Sequence, residues 1–94
     1  MIERDNQLAV NGQFKRVYTF TLDGLTAVDI ATPVSAASVT TVTKRLLKNV
    51  QPQFAPYEKV EGLAVTWDGD LWVALDNDGG EFESRLVRYR NLLR

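Results

Sequence analysis

The chain has 94 residues, 45% of them hydrophobic, and a formal net charge of -1. That suits one small domain with a modest core, is too apolar for disorder, and provides neither a basic field for nucleic acid nor a polybasic membrane anchor. It contains no cysteine and no histidine. Disulfides, thiolate nucleophiles, Cys- or His-ligated metals and Ser-His-Asp machinery are therefore excluded from this chain, leaving carboxylates, Lys, Arg, Tyr, hydroxyls or a hard cation to do any chemistry.

The first ten residues, MIERDNQLAV, carry charges where a signal peptide needs an apolar stretch. Either the protein is not exported or the chain starts after its signal. No stretch approaches the ~20 apolar residues of a membrane span. Residues 14–22, FKRVYTFTL, are β-branched and aromatic and alternate Phe14, Arg16, Tyr18 and Phe20 against Lys15, Val17, Thr19 and Thr21. This pattern predicts a strand, closed by the turn pair Asp23-Gly24. A short second strand is expected over 25–30, then a small-residue loop around Pro33. Over 39–50, β-branched residues favour a strand ending near Leu47, with one helical turn after it. Val42, Leu46, Leu47 and Val50 also fit a helical face. Pro52 and Pro56 make 51–58 a loop.

The clearest signal is a hairpin. Residues 62–67 read as one strand, Asp68-Gly69 as the turn, and 70–75 as the returning strand. A polar loop follows at Asp76, Asn77, Asp78, Gly79 and Gly80. Residues 84–90, SRLVRYR, then alternate again, with Leu86 on one face and Val87 and Tyr89 on the other. Five or six short strands without a convincing helix predict an all-β sandwich, barrel or propeller. Trp72, between Leu71 and Val73, belongs to a run apolar on both sides and is expected to pack in a core.

Particular residues narrow this choice. Lys59, Val60, Glu61, Gly62, Leu63 and Ala64, then Asp68-Gly69, then Leu71-Trp72-Val73, then Asp76-Asn77-Asp78 resemble the signature of the phytase-like β-propeller family ("esterase-like activity of phytase"). Ile2-Glu3-Arg4-Asp5-Asn6, followed by Phe14-Lys15-Arg16-Val17-Tyr18, resembles that family's preceding blade, and Thr43-Lys44-Arg45-Leu46-Leu47 resembles its K-x-L-L strand. The resemblance implies antiparallel propeller blades. A blade is ~40–45 residues, so this chain supplies about two within one all-β domain, roughly 1–50 and 51–94. Two blades leave sheet faces and edges uncovered, and the expectation is a partial propeller completed by self-association into a homo-oligomer or by further blades. The resemblance also implies secretion or a periplasmic location, a phosphorylated small molecule as partner, and calcium-dependent phosphoesterase or esterase-like hydrolysis in full-length relatives. This chain alone is expected to be inactive, and the alternative is a non-catalytic, self-assembling scaffold or binding module.

The candidate site follows from the hairpin. Glu61 begins one strand, and Asp76, Asn77 and Asp78 follow its partner, so all four fall at the end away from the turn. Converging oxygens there would suit Ca²⁺, which takes 6–8 oxygen ligands. The competing reading is an ordinary turn whose Asx side chains cap their own backbone. Glu61 is also the candidate catalytic carboxylate, as acid or base, against a structural role accepting backbone N–H bonds. Arg4 could grip phosphate through its planar fork, with Lys15 or Lys59 as helper, against a role in a salt-bridged loop. Arg85, Arg88, Arg90 and Arg94 read as a solvated basic face rather than a nucleic-acid surface.

Overall fold

The computed structural model describes residues 1–6 and 14–94. Two three-stranded antiparallel sheets follow one another along the chain. In the first, β1 (Ile2–Arg4) pairs with β2 (Lys15–Thr19), which pairs with β3 (Arg45–Asn49). Ile2 lies opposite Val17, Arg4 opposite Lys15, and Thr19 opposite Arg45, with an irregularity between Val17 and Tyr18. In the second, β4 (Val60–Val65), β5 (Leu71–Leu75) and β6 (Leu86–Tyr89) form a meander. Its register sets Leu63 opposite Val73, Val65 opposite Leu71, and Val73 opposite Val87.

The Asp68-Gly69 turn forms where its residues predict it. Gly69 has φ 89°, and a Cβ there would come within 3.1 Å of the Arg94 backbone nitrogen. Glycine thus serves both the turn and the close passage of the C-terminus, whose Leu93 N–H donates to the Gly69 carbonyl at 2.9 Å.

Alternation assigns the faces. Val17 and Leu47 of the first sheet, and Leu71, Val73 and Leu75 of the second, are packed into a core shared with Val50, Phe54 and Val60. The other face of the second sheet carries Ala64, Trp72, Ala74, Leu86 and Arg88. Trp72 is therefore half-buried on the outer face, with the Arg88 guanidinium 5.5 Å from its ring centroid, rather than in the core. Trp67, beside the turn, is fully exposed.

The sheets meet along their first strands, β1 and β4, and they do not close into a barrel. The fold is all-β and propeller-type, with one short α-helix and one 3-10 turn (Asp78–Gly80) among the described residues.

Three expectations change. No strand forms over 25–30, where β-branched residues find no partner strand. The strand expected within 39–50 is confined to Arg45–Asn49, which leaves a long connection from residue 20 to residue 44. That connection exposes Leu22, Val28, Ile30 and Val34. The segment 51–58 is not all loop: α1 (Gln51–Phe54) makes a single helical turn. Pro52 is compatible with it because first-turn N–H groups have no intrahelical acceptor to lose. The turn buries Phe54 completely.

Candidate functional site

The end of the second sheet opposite its hairpin gathers the residues singled out above. The Asp76 N–H donates to the Lys59 carbonyl at 2.8 Å. This bond carries the β4–β5 pairing one step past Val60 and Leu75 and brings Lys59 beside the 76–80 loop. There the Lys59 ammonium pairs with the Asp78 carboxylate. The Asp78 hydrogen bond holds the Lys59 pKa above its ordinary value. Within the loop, the Asp76 carboxylate accepts from the Asp78 N–H at 3.0 Å. The Asn77 side-chain oxygen accepts from the Gly80 N–H at 3.1 Å, and its amide donates to the Ser84 hydroxyl at 3.0 Å. These are the self-capping contacts of an Asx-rich turn.

Glu61 sits one residue beyond Val60, at an irregularity in the β4–β5 pairing. Its carboxylate accepts from the Arg4 guanidinium at 2.5 Å. Arg4 is the last residue of β1, so this bond ties one sheet to the other where their first strands meet. Arg4 also reaches the Asn6 side chain at 3.1 Å. The neighbouring charges are engaged as well: Glu3 with Lys44, and Asp5 with the buried Lys15. The structure thus brings Arg4 to Glu61 and Lys59 to Asp78, in two cation–carboxylate pairs at β1 and β4.

Calcium, the cation that the resemblance implies, has a demanding test here. It needs several oxygens converging on one point. Asp78 faces Lys59, Glu61 faces Arg4, and Asp76 and Asn77 turn back on their own loop. Among the described residues no three acidic side chains come close enough together to hold an ion. Arranged in this way, Glu61, Asp76, Asn77 and Asp78 do not fit a calcium ion.

The family signature falls on these same strands and loops. The sequence pattern of the phytase-like family, described as "Esterase-like activity of phytase", matches residues 1–79. The chain belongs to the phytase-like family. The match takes in both first strands, the hairpin and most of the acidic loop, and it ends before β6. No curated protein and no solved structure matches this phytase-like chain.

Sequence reasoning missed a second polar centre at the opposite end of the hairpin. Asp70 is buried, and its carboxylate accepts from Arg88 Nε at 2.5 Å and from the Asn91 N–H at 2.7 Å. Arg88 Nη2 reaches the same carboxylate. Nearby, the Thr66 hydroxyl donates to Asp68 and holds its pKa below the ordinary carboxylate value. A buried aspartate at a hairpin turn, 18 residues before an arginine, has no local signature. Arg85 acts in a similar way, donating to the Gln53 and Ala55 carbonyls at 2.8 and 3.1 Å at the end of α1.

Proposed function

We propose that this chain supplies two blades to a phytase-like propeller that hydrolyses phosphate or carboxylate esters of small molecules, and that the β1–β4 end is where its chemistry resides. The observation that carries this reading is the Arg4–Glu61 bond across the two first strands, with the Lys59–Asp78 pair on the same β4 end. Arg4 and Lys59 are the groups for a phosphate: a planar fork that can hold two oxygens, and a compact ammonium beside it. Both now hold carboxylates, which a phosphate would have to replace. Glu61, half exposed even while it holds Arg4, would take the proton from a water attacking phosphorus or the ester carbon and return it to the alcohol oxygen as the ester bond breaks and the alcohol leaves. Export to the periplasm or outside the cell remains part of the proposal through the family resemblance alone.

The test is release of inorganic phosphate, or of an ester alcohol, from generic small substrates by the assembled propeller that contains this chain and by the same assembly carrying Glu61→Gln. Turnover lost in Glu61→Gln and retained in a remote surface variant supports the assignment. Equal turnover in both proteins overturns it.

A second reading is a non-catalytic scaffold that completes its propeller with copies of itself or with further blades. It is favoured by the outer face of the second sheet, where Ala64, Ala74 and Leu86 surround Trp72 with few charges. Sedimentation equilibrium separates the two: a defined oligomer without turnover supports the scaffold, and a stable monomer overturns self-assembly.

A further inference from the structure

The chain has eleven Lys and Arg side chains. Six of them, Arg4, Lys15, Lys44, Lys59, Arg85 and Arg88, have carboxylate partners. Arg16 lies over the Phe14 ring and Lys48 over the Tyr89 ring. Arg45, Arg90 and Arg94 are all exposed, and none has a carboxylate or a ring partner among the described residues. Of these three, Arg45 lines a cleft of about 310 Å³ with Thr19, Phe20, Thr21 and Thr43.

This cleft is at the neck of the long connection. Thr19 and Arg45 form the last pair of β2 and β3, and beyond them the two limbs separate. β2 runs from Lys15, opposite Arg4, to Thr19, so the neck is roughly 13 Å along the strand from the Arg4 end at ~3.3 Å per residue. The Thr21 hydroxyl accepts from the Asp23 N–H at 3.0 Å and keeps its own proton for a ligand. The cleft thus offers one guanidinium without a counter-ion, three hydroxyls and the half-exposed Phe20 ring. An oxyanion satisfies this set: guanidinium and hydroxyls all donate to oxygen, and an aromatic wall suits the organic part of an ester.

We propose that the neck between β2 and β3 is an anion site that takes the phosphate of a small phosphate monoester. Arg45 is its charged anchor and the threonine hydroxyls complete the shell. A phosphate held there fastens together the two limbs of the connection. The site is separate from Glu61 and does not depend on the hydrolytic reading.

The test is a titration of the isotopically labelled chain with inorganic phosphate, and separately with phenyl phosphate, followed through backbone amide resonances. Saturable shifts at residues 19–21 and 43–45 are expected, with phenyl phosphate binding more tightly because its ring reaches Phe20. Arg45→Gln should weaken binding at least tenfold, the loss of one charge-assisted contact at about 1.4 kcal/mol per factor of ten, and Arg45→Lys should fall between the two. Glu61→Gln should leave it unchanged, so that failure here and failure of the hydrolytic reading are distinguishable. Shifts that do not saturate, that centre on Arg4 and Lys59, or that persist in Arg45→Gln overturn the proposal. Should Arg45→Gln not fold, Arg45→Lys together with Thr43→Val decides the matter by the same resonances.

Discussion

Asp70→Asn is the substitution whose effect can be worked most directly from the structure. The Asp70 side chain is 3% exposed and receives three donors: Arg88 Nε, Arg88 Nη2 and the Asn91 N–H. Hydrogen bonds to a charged group contribute about 1.5–3 kcal/mol each. Arg88 is 39% exposed, however, and can turn to water or to Asp68 when its partner changes. Its two bonds therefore count well below that range. Asparagine keeps one acceptor oxygen, which can serve either Arg88 or Asn91, and presents an amide donor to the other. The net loss is about 2 kcal/mol. In a domain of this size, 1 kcal/mol moves the melting temperature by ~4–8 °C, so Asp70→Asn should melt roughly 8–16 °C lower. Thermal and urea unfolding followed by circular dichroism measure the loss. A cycle with Arg88→Gln isolates the pair, and the double variant should be less destabilised than the sum of the two singles. A loss under about 0.5 kcal/mol, or strict additivity in the cycle, would refute the view that this carboxylate fastens the C-terminal turn to the hairpin.

Phe54→Ala removes a completely buried ring from the end of α1 and should cost about 3–5 kcal/mol, measured by urea unfolding. Gly62→Ala places a Cβ 2.7 Å from the Ala74 Cβ and should destabilise by about 1–3 kcal/mol, with Ala74→Gly in the same chain restoring much of it. The folded pKa of Asp68 is depressed, so its contribution to stability is present above the unfolded value and lost as pH falls through the folded one. Thr66→Val should raise the Asp68 pKa in a carboxyl NMR titration and reduce the acid-side slope of stability. Millimolar calcium, compared with EDTA, should leave the melting temperature unchanged, because the 76–80 loop is committed to Lys59 and to itself. A calcium-specific rise would show that these donors reorganise around the ion.

The legible parts of the sequence were those with local causes. The β4–β5 hairpin follows from a turn pair between two apolar runs. Its register alone brings the 76–80 loop to the strand that carries Glu61, because the loop lies across the pairing from Lys59. The all-β class follows from strand spacing. A helical turn was expected just after Leu47, but it forms later, at Gln51–Phe54, because Pro52 reads as a breaker unless it falls in a first turn. The expected strand over 25–30 failed for the opposite reason, since β propensity without a partner strand has no ladder to join. The partners within the candidate site were not legible at all. Arg4 finds Glu61 across 57 residues and Lys44 finds Glu3 across 41, separations that no periodicity encodes. Arg45 was visible only as part of a strand motif, because a cation without a partner and the cleft it lines are recognised only once the strands are paired.

The two ends of the second sheet differ in how readily their charges can be exchanged, and this bears on where a ligand can act. At the hairpin end, Asp70 is shut away from water and is fixed by side-chain and backbone donors. Exchanging its partner for a ligand would strand a buried carboxylate, which is strongly unfavourable. At the other end, the members of the Arg4–Glu61 and Lys59–Asp78 pairs all reach solvent, and pairs of that kind contribute little to stability. A phosphate that takes Arg4 and Lys59 leaves two carboxylates that water can satisfy. On the proposed reading, a phosphate would therefore enter at the β1–β4 end without loosening the fold, while the hairpin end keeps the register of β4 and β5. Removing both exposed pairs, in Arg4→Gln with Lys59→Gln, should accordingly change stability far less than Asp70→Asn alone.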